Sequence, residues 1–457
     1  MKFSNQQCQS VRKLVADQIR ELEAGTLGRP GSRLPEQLIH VRLEMRPASH
    51  GAAETLPVAA VARLAGPPKI DGAIDEQAWQ QATKVSIDRE ARTGETVKPA
   101  TRVWLGYDDR ALYVAFWCDE PRMDKLVAKT SGRDPDHIWE DDSIELFVDP
   151  TGERQQYAHF IVNTAGAVYD ELGERPAWNS SAEIKVGKYK ACWQCEMAIP
   201  WADLAAAGVA RNDVMALNLC RNRYADPAAG WDHAAWSVTY SWYHVPERFG
   251  VALLEKGKIG LAAIELPTLF GKQMLRLALA NHTGIHQMVR LQASVKYEGD
   301  QAGSPPEKLL VETSPGELTL ASVPVPLTRP GKAYISLTFG PEGGQSRTAT
   351  FAVVVPEPAG VPTRLLTLGK DRRLEAVVNL NVAPSSDTYM ASATLVAAGQ
   401  TQWRGSLDCS AGRSAYLEGR AEMPWVLAWL DLRLIRGGKE IWQTRLPVMP
   451  QFEAVAY

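Results

Sequence analysis

The chain has 457 residues, 45% of them hydrophobic and 23% charged, which is ordinary for a globular protein and long enough for three domains of about 150 residues each. A net charge of −3 leaves no electrostatic footprint for nucleic acid, and no apolar run approaches the roughly 20 residues that cross a bilayer. Six cysteines do not make a dense disulfide framework, whereas fourteen tryptophans are many, and tryptophan is enriched at binding surfaces.

Residues 5–25 carry Val11, Leu14, Val15, Ile19 and Leu22 at helical spacing with Gly25 as a stop, which predicts a short amino-terminal helix. The helix has no apolar h-region before it, so no secretory signal is expected there. Gly28 to Gly51 is rich in Pro, Gly and Arg and reads as an irregular leader, completing a segment 1–55.

A β-domain is expected over 56–258. Ile70-Asp71-Gly72 turns the chain into a short helix that docks Trp79. Arg102 to Tyr107 and Ala111 to Asp119 read as a hairpin around Asp108-Asp109-Arg110. Ser143 to Asp149 alternates with period two. Ile144, Leu146 and Val148 are predicted to face a core, and Ser143, Glu145, Phe147 and Asp149 the other side. Trp139, Glu140, Asp141 and Asp142 load its start with an aromatic and acids. Tyr157 to Asn163 alternates likewise, with Ala158, Phe160 and Val162 inward and Tyr157, His159, Ile161 and Asn163 outward. Further strands are predicted at Ala182 to Val186, Trp193 to Ile199, Met215 to Arg223 and Phe249 to Leu254. Cys192 and Cys195 have CxxC spacing but sit inside an alternating strand with no second pair, which favours packing over redox or zinc chemistry. Trp79, Trp193 and Trp201 fall where core plugs are needed.

After Gly260 the aromatic density falls, and two further strand series, 259–360 and 361–457, are each the size of an immunoglobulin-like sandwich, with Pro356 to Pro362 as a linker. The fold class is therefore all-β: a jelly-roll-like β-sandwich followed by two β-sandwich (Ig-like) domains.

From Leu64 to Leu254 the chain resembles the family 9 carbohydrate-binding modules. The matching phrases are Ile70-Asp71-Gly72 with Trp79, Tyr107-Asp108 with Leu112-Tyr113, Trp139 through Asp149, Asn163 with Gly166, Trp193 with Glu196, Ile199-Pro200-Trp201, Asn218 with Arg221, and Trp236-Ser237 before Phe249-Gly250. Their order and spacing carry the resemblance. It implies a jelly-roll-like sandwich that binds sugars without cleaving them, often with structural calcium, in an extracellular or periplasmic setting. It also implies a sugar clamped between two indoles. Trp139 matches the first, Glu145 a carboxylate that bonds hydroxyls, and Asn163 a second polar contact. The second indole is expected from the loop after Arg223, at Trp236 or else Trp231. One departure is Ile161, where an Arg is expected; an alkyl group does not replace a guanidinium fork.

The residues themselves support that chemistry, since a pyranose stacks its C–H face on an indole while carboxylates and amides take the hydroxyls. Tyr157 and His159 are expected to share the face of Glu145 and Asn163. Asp141, Asp142 and Asp149 are candidate Ca²⁺ ligands, with solvated acids as the competing reading. The expected partners are mono-, oligo- or polysaccharides. Catalysis is not expected, because Glu145 and Asp149 lie about 13 Å apart along one strand, at roughly 3.3 Å per residue, too far for a glycosidase pair. Two alternatives remain: a glycoside hydrolase whose catalytic domain lies beyond Tyr457, and a haem b-binding sandwich using His159 with Met197 or His244.

Overall fold

The computed structural model describes residues 37–47, 53–173, 177–205, 212–254, 257–364, 366–367, 372–383, 388–409, 414–423 and 427–449. The helix expected over residues 5–25 lies outside them. The regular structure of the described residues is nearly all strand, as the alternation predicts, and among them no helix is long and apolar enough to cross a membrane.

The first sandwich is one continuous ladder folded over on itself. Its path runs Glu183–Lys188, Cys192–Pro200, Ala111–Asp119, Thr96–Tyr107, Val58–Arg63, Gly250–Leu254, Val214–Asn222, Ser143–Asp149, Ala158–Asn163 and Val168–Leu172. Thr83–Glu90 pairs with Thr96–Tyr107 and with His233–Ala235, which in turn pairs with Val214–Asn222 and closes the ladder. Period two decides what is enclosed. Ile144, Leu146, Val148, Ala158, Phe160 and Val162 join Val114, Phe116 and Met197 in the main core, as their alternation predicts. The opposite faces of Ser143–Asp149 and Ala158–Asn163 are also buried, Phe147 under Tyr243 and Phe249 and Ile161 under Ile138 and Ala167.

The family phrases of the first strands meet at one buried carboxylate. Trp79 is fully buried and donates from Nε1 to Glu196 Oε1 at 2.7 Å. Glu196 Oε2 accepts the backbone amides of Asp71 at 3.0 Å and Gly72 at 2.7 Å. Gly72 has φ +95°, and a Cβ there would stand 2.9 Å from the backbone nitrogen of Gly187, so both conformation and space require glycine. Trp79→Phe is expected to lower unfolding stability by about 1–3 kcal/mol, the cost of stranding a buried acceptor. Urea titration checks this, and an unchanged midpoint would mean that the Glu196 bond adds nothing.

The second sandwich packs two four-stranded sheets. One is Ala53–Leu56, Ile259–Pro267, Gly271–Asn281 and Leu318–Leu327; the other is Glu307–Thr313, Gln287–Tyr297, Gly331–Pro341 and Arg347–Val355. Alternation also joins it to the first: Ala252 and Leu254 point into the first core, whereas Val251 and Leu253 point into the second. The third sandwich holds Ala359–Gly360, Arg373–Leu380, Gln37–Pro47 and Ala415–Met423 in one sheet. Its other sheet is Leu366–Thr367, Lys439–Met449, Ala428–Arg436, Tyr389–Ala397 and Gln400–Asp408.

Two expectations need correction here. The supposed irregular leader contains the strand Gln37–Pro47, paired parallel to Arg373–Leu380 and antiparallel to Ala415–Met423. Ile39, Val41, Leu43 and Met45 are buried in the third core, while His40, Arg42, Glu44 and Arg46 alternate outward, a period-two signal masked by the flanking Pro, Gly and Arg. The supposed linker at 356–362 is also tied down, since Ala359 and Gly360 pair with Leu380 and Asn379.

Candidate functional site

Four neighbouring strands present their outer faces as a floor. In register, Cys220 faces Glu145, Glu145 faces Ile161, and Ile161 faces Tyr169. In the adjoining row Phe147 faces His159 and His159 faces Glu171. Of these, Glu145, His159, Ile161, Tyr169 and Glu171, with Asn222, line a cleft of about 370 Å³. That volume lies at the low end of the roughly 300–1,000 Å³ found for ligand pockets.

The floor is a connected polar network. Glu145 Oε1 accepts from Asn222 Nδ2 at 2.7 Å, and Oε2 lies 2.7 Å from His159 Nε2. His159 Nδ1 lies 3.4 Å from Glu171 Oε1, and Tyr169 donates its hydroxyl to Glu171 Oε2 at 2.9 Å. Phe147 stacks on the imidazole with ring centroids 4.1 Å apart, fixing its plane. Burial alone would lower the His159 pKa, but the two carboxylates prevail and raise it. Burial works upward on Glu145, yet His159 and Asn222 hold it below the ordinary carboxylate range. Glu171 is held down first by its bond with His159.

Two indoles rise from this floor. Trp139 sits in a short 3-10 turn, Ile138–Glu140, whose Ile138 is fully buried against Ile161, Ala167 and Tyr169. That anchor leaves Trp139 46% exposed, with its carbonyl accepting from the Tyr224 hydroxyl. Trp242 also lines the cleft, 62% exposed, with His233 edge-on at 5.3 Å and the Arg92 guanidinium over the ring at 5.7 Å. The next residue, Tyr243, is buried and ties the loop down through bonds to the carbonyls of Arg221 and Ala234.

The two tryptophans expected to supply the second indole lie outside this cleft. Trp231 is only 7% exposed, donates to the Lys98 carbonyl at 2.9 Å and lies under Arg221 and Arg223. Trp236 packs across Gly250 and against the main core. Neither lines the cleft, whereas Trp242 does. Asn163 is likewise buried away from the cleft. Its Nδ2 donates to Asp141 and Thr130, and its Oδ1 accepts the amides of Ala165 and Ala167, so it builds the Asn163–Gly166 turn. Tyr157 stands behind the lining and bonds His244 Nδ1 at 2.9 Å. Trp139, Glu145 and His159 do converge in the cleft. Asn222, Tyr169, Glu171 and Trp242 were missed; the aromatic run Tyr240-Ser241-Trp242-Tyr243 was the available signal for the last.

The three aspartates proposed for calcium do not converge. Asp141 accepts from Lys129, Thr130 and Asn163, Asp142 from the amides of Val127, Tyr224 and Ala225, and Asp149 from Thr151, Gly152 and Arg154. Burial raises Asp142 and Asp149; in Asp141 the bonds outweigh burial and lower it. Each carboxylate ties a loop to a strand end. Among the described residues, the one grouping of three metal-capable side chains is instead His159, Glu171 and His244. Met197, named for a haem site, is fully buried in the main core rather than in the cleft. Cys192 and Cys195 are buried free thiols raised by burial, as packing residues would be.

Residues 70–257 match the family model described as carbohydrate family 9 binding domain-like. This segment is similar to the family 9-like modules. The match spans the ladder from the Ile70 turn to the Gly250–Leu254 strand and so contains the whole cleft. Among solved structures, a protein from Bacteroides uniformis described as carbohydrate-binding is 19% identical, covering 44% of this chain and 100% of that one, with a TM-score of 0.37. A family 9 carbohydrate-binding module from Caldicellulosiruptor kristjanssonii, in complex with cellotriose, is 17% identical, covering 43% and 93%, with a TM-score of 0.32. The comparison with curated proteins finds no match.

Proposed function

We propose that the family 9-like module binds a pyranose ring of an oligo- or polysaccharide between Trp139 and Trp242, without cleaving it. The observation that carries this reading is a pair of exposed indoles lining a cleft whose floor holds the buried Glu145 carboxylate, bonded by Asn222 and His159. Apolar C–H faces are desolvated on the rings, while Glu145, Asn222 and Glu171 offer directional partners to hydroxyls. Ile161 on the floor supplies no donor, so hydroxyl recognition falls on the polar side chains around it.

The polar groups argue for binding rather than hydrolysis. A glycosidase needs one carboxyl held protonated as general acid. Glu145 and Glu171 share the cleft, but both are held below the ordinary range by His159, so neither stores that proton. The two remaining sandwiches then serve as carriers, and the whole fits an accessory part of glycan breakdown outside the cytoplasm.

Calorimetric titration with cellotriose and a glycan panel tests the reading. A sugar that binds the wild type is expected to lose about 1.5–3 kcal/mol on Glu145→Gln, the worth of hydrogen bonds to a charged group. No binding across the panel, or release of reducing ends on incubation, would overturn it.

A further inference from the structure

We propose that His159, Glu171 and His244 form a binding site for one transition-metal dication, zinc first among them, at the base of the cleft. One potential ligand atom from each lies within 4.8 Å of the other two. His159 Nδ1 and Glu171 Oε1 are 3.4 Å apart. Two ligands at about 2.1 Å from a tetrahedral ion are separated by about 3.4 Å, so this pair already spans one edge of such a polyhedron. Two imidazoles and one carboxylate are a nitrogen-rich set that suits zinc, copper, nickel or cobalt rather than calcium.

The atoms behind the ligands are as telling as the ligands. Metal-bound histidines have the other ring nitrogen held by a carboxylate, carbonyl or hydroxyl partner, which fixes tautomer and ring plane. Here Glu145 holds His159 through Nε2, leaving Nδ1. Tyr157 holds His244 through Nδ1, leaving Nε2. Tyr169 holds Glu171 through Oε2, leaving Oε1. Three different residues thus hold three outer atoms, and each ligand keeps one atom for an ion. Stacking on Phe147 further fixes the His159 ring.

An ion-paired imidazole between Glu145 and Glu171 accounts for two of these contacts without a metal. It does not account for His244, which stands edge-on to His159 with centroids 4.9 Å apart and is pinned from behind by Tyr157. His244 comes from an exposed loop position, so it has room to close onto an ion held by the two floor residues. Three protein ligands leave a fourth position facing the cleft, the arrangement of an open rather than a purely structural zinc site. The proposal stands apart from the sugar reading, because the ligand set is complete without a saccharide.

The test uses the full chain, free of any affinity tag and stripped of metal. Zinc titrated by calorimetry is expected to bind at one equivalent and to raise the melting temperature. His244→Ala, at an exposed position, is expected to weaken binding tenfold or more while leaving the metal-free melting temperature in place. Glu171→Gln should weaken binding likewise, and Tyr157→Phe should weaken it about 10–100-fold, as loss of a supporting partner does. Cobalt should give a visible d–d spectrum without thiolate charge transfer, and that spectrum should vanish in His244→Ala. Failure of zinc, cobalt, nickel and copper alike to bind overturns the proposal, as does binding that both ligand variants leave unchanged. Since no sugar is present, failure here leaves the saccharide reading untouched, and failure of the glycan panel leaves this one untouched.

Discussion

Glu120→Ala is expected to remove about 3–5 kcal/mol of stability from the first sandwich, the cost of breaking a buried ion pair from one side. Glu120 is fully buried and faces two guanidiniums that are themselves excluded from water. Oε2 accepts from Arg221 Nη2 at 3.0 Å and from Arg223 Nε at 2.7 Å, and Oε1 accepts from Arg223 Nη2 at 2.9 Å. Arg221 also donates to Thr101 Oγ1 and the Asp119 carbonyl, while Arg223 has Asp226 at 3.5 Å. The Trp231 ring covers both arginines. Removal of the carboxylate therefore leaves two buried cations with one partly exposed acid between them. Urea unfolding followed by tryptophan fluorescence measures the loss. The triple variant Glu120→Leu, Arg221→Met, Arg223→Met should recover much of it, because a packed apolar triad avoids the desolvation of all three charges. A single-variant loss below about 1 kcal/mol would place that network in water and contradict its burial.

The parts of this fold that were legible share one cause. A strand with one face in a core writes that fact into every second residue, so Ile144, Leu146 and Val148 and their partners Ala158, Phe160 and Val162 could be assigned without a structure. The docked Trp79 was legible for a related reason. The Ile70-Asp71-Gly72 turn and Glu196 are one unit split across the sequence, and their order survives as motif phrases. The strand Gln37–Pro47 carried an equally clean alternation but was overridden by the composition around it.

The cleft was harder to read, because its residues come from places that local pattern does not connect. Glu145 and His159 could be paired since their strands are consecutive. Asn222 and Glu171 join them only through ladder neighbours that strand order alone does not predict. The loop tryptophans carried the least information. Trp231, Trp236 and Trp242 are separated by five and six positions, and which of them faces water depends on Lys98, Gly250 and the Tyr243 anchor, all distant in sequence. Asn163 and the three aspartates show the converse error. Polar side chains at strand ends resemble ligand donors, yet most of their capacity goes to loop amides that would otherwise be stranded.

Trp242→Ala is expected to cost about 1–3 kcal/mol of sugar affinity, taking base–aromatic stacking as the scale, and to leave the melting temperature nearly unmoved. The two halves of that expectation come from one number: the ring is 62% exposed, so the folded chain gains little from it and a bound pyranose gains a wall. Trp139→Ala should behave alike, being 46% exposed and held through its backbone and Ile138 rather than through its own ring. Trp231→Ala should do the opposite. It removes a buried indole and strands the Lys98 carbonyl, costing stability by about 3–5 kcal/mol, with affinity changing only as folding fails. Calorimetry and thermal melting on the three variants separate the roles, because a stacking ring moves affinity alone and a packing ring moves stability first. If Trp242→Ala binds sugar as tightly as the wild type while Trp236→Ala loses affinity without melting earlier, the clamp belongs to Trp236 and the cleft wall built by the Tyr240 to Tyr243 run is not the saccharide's.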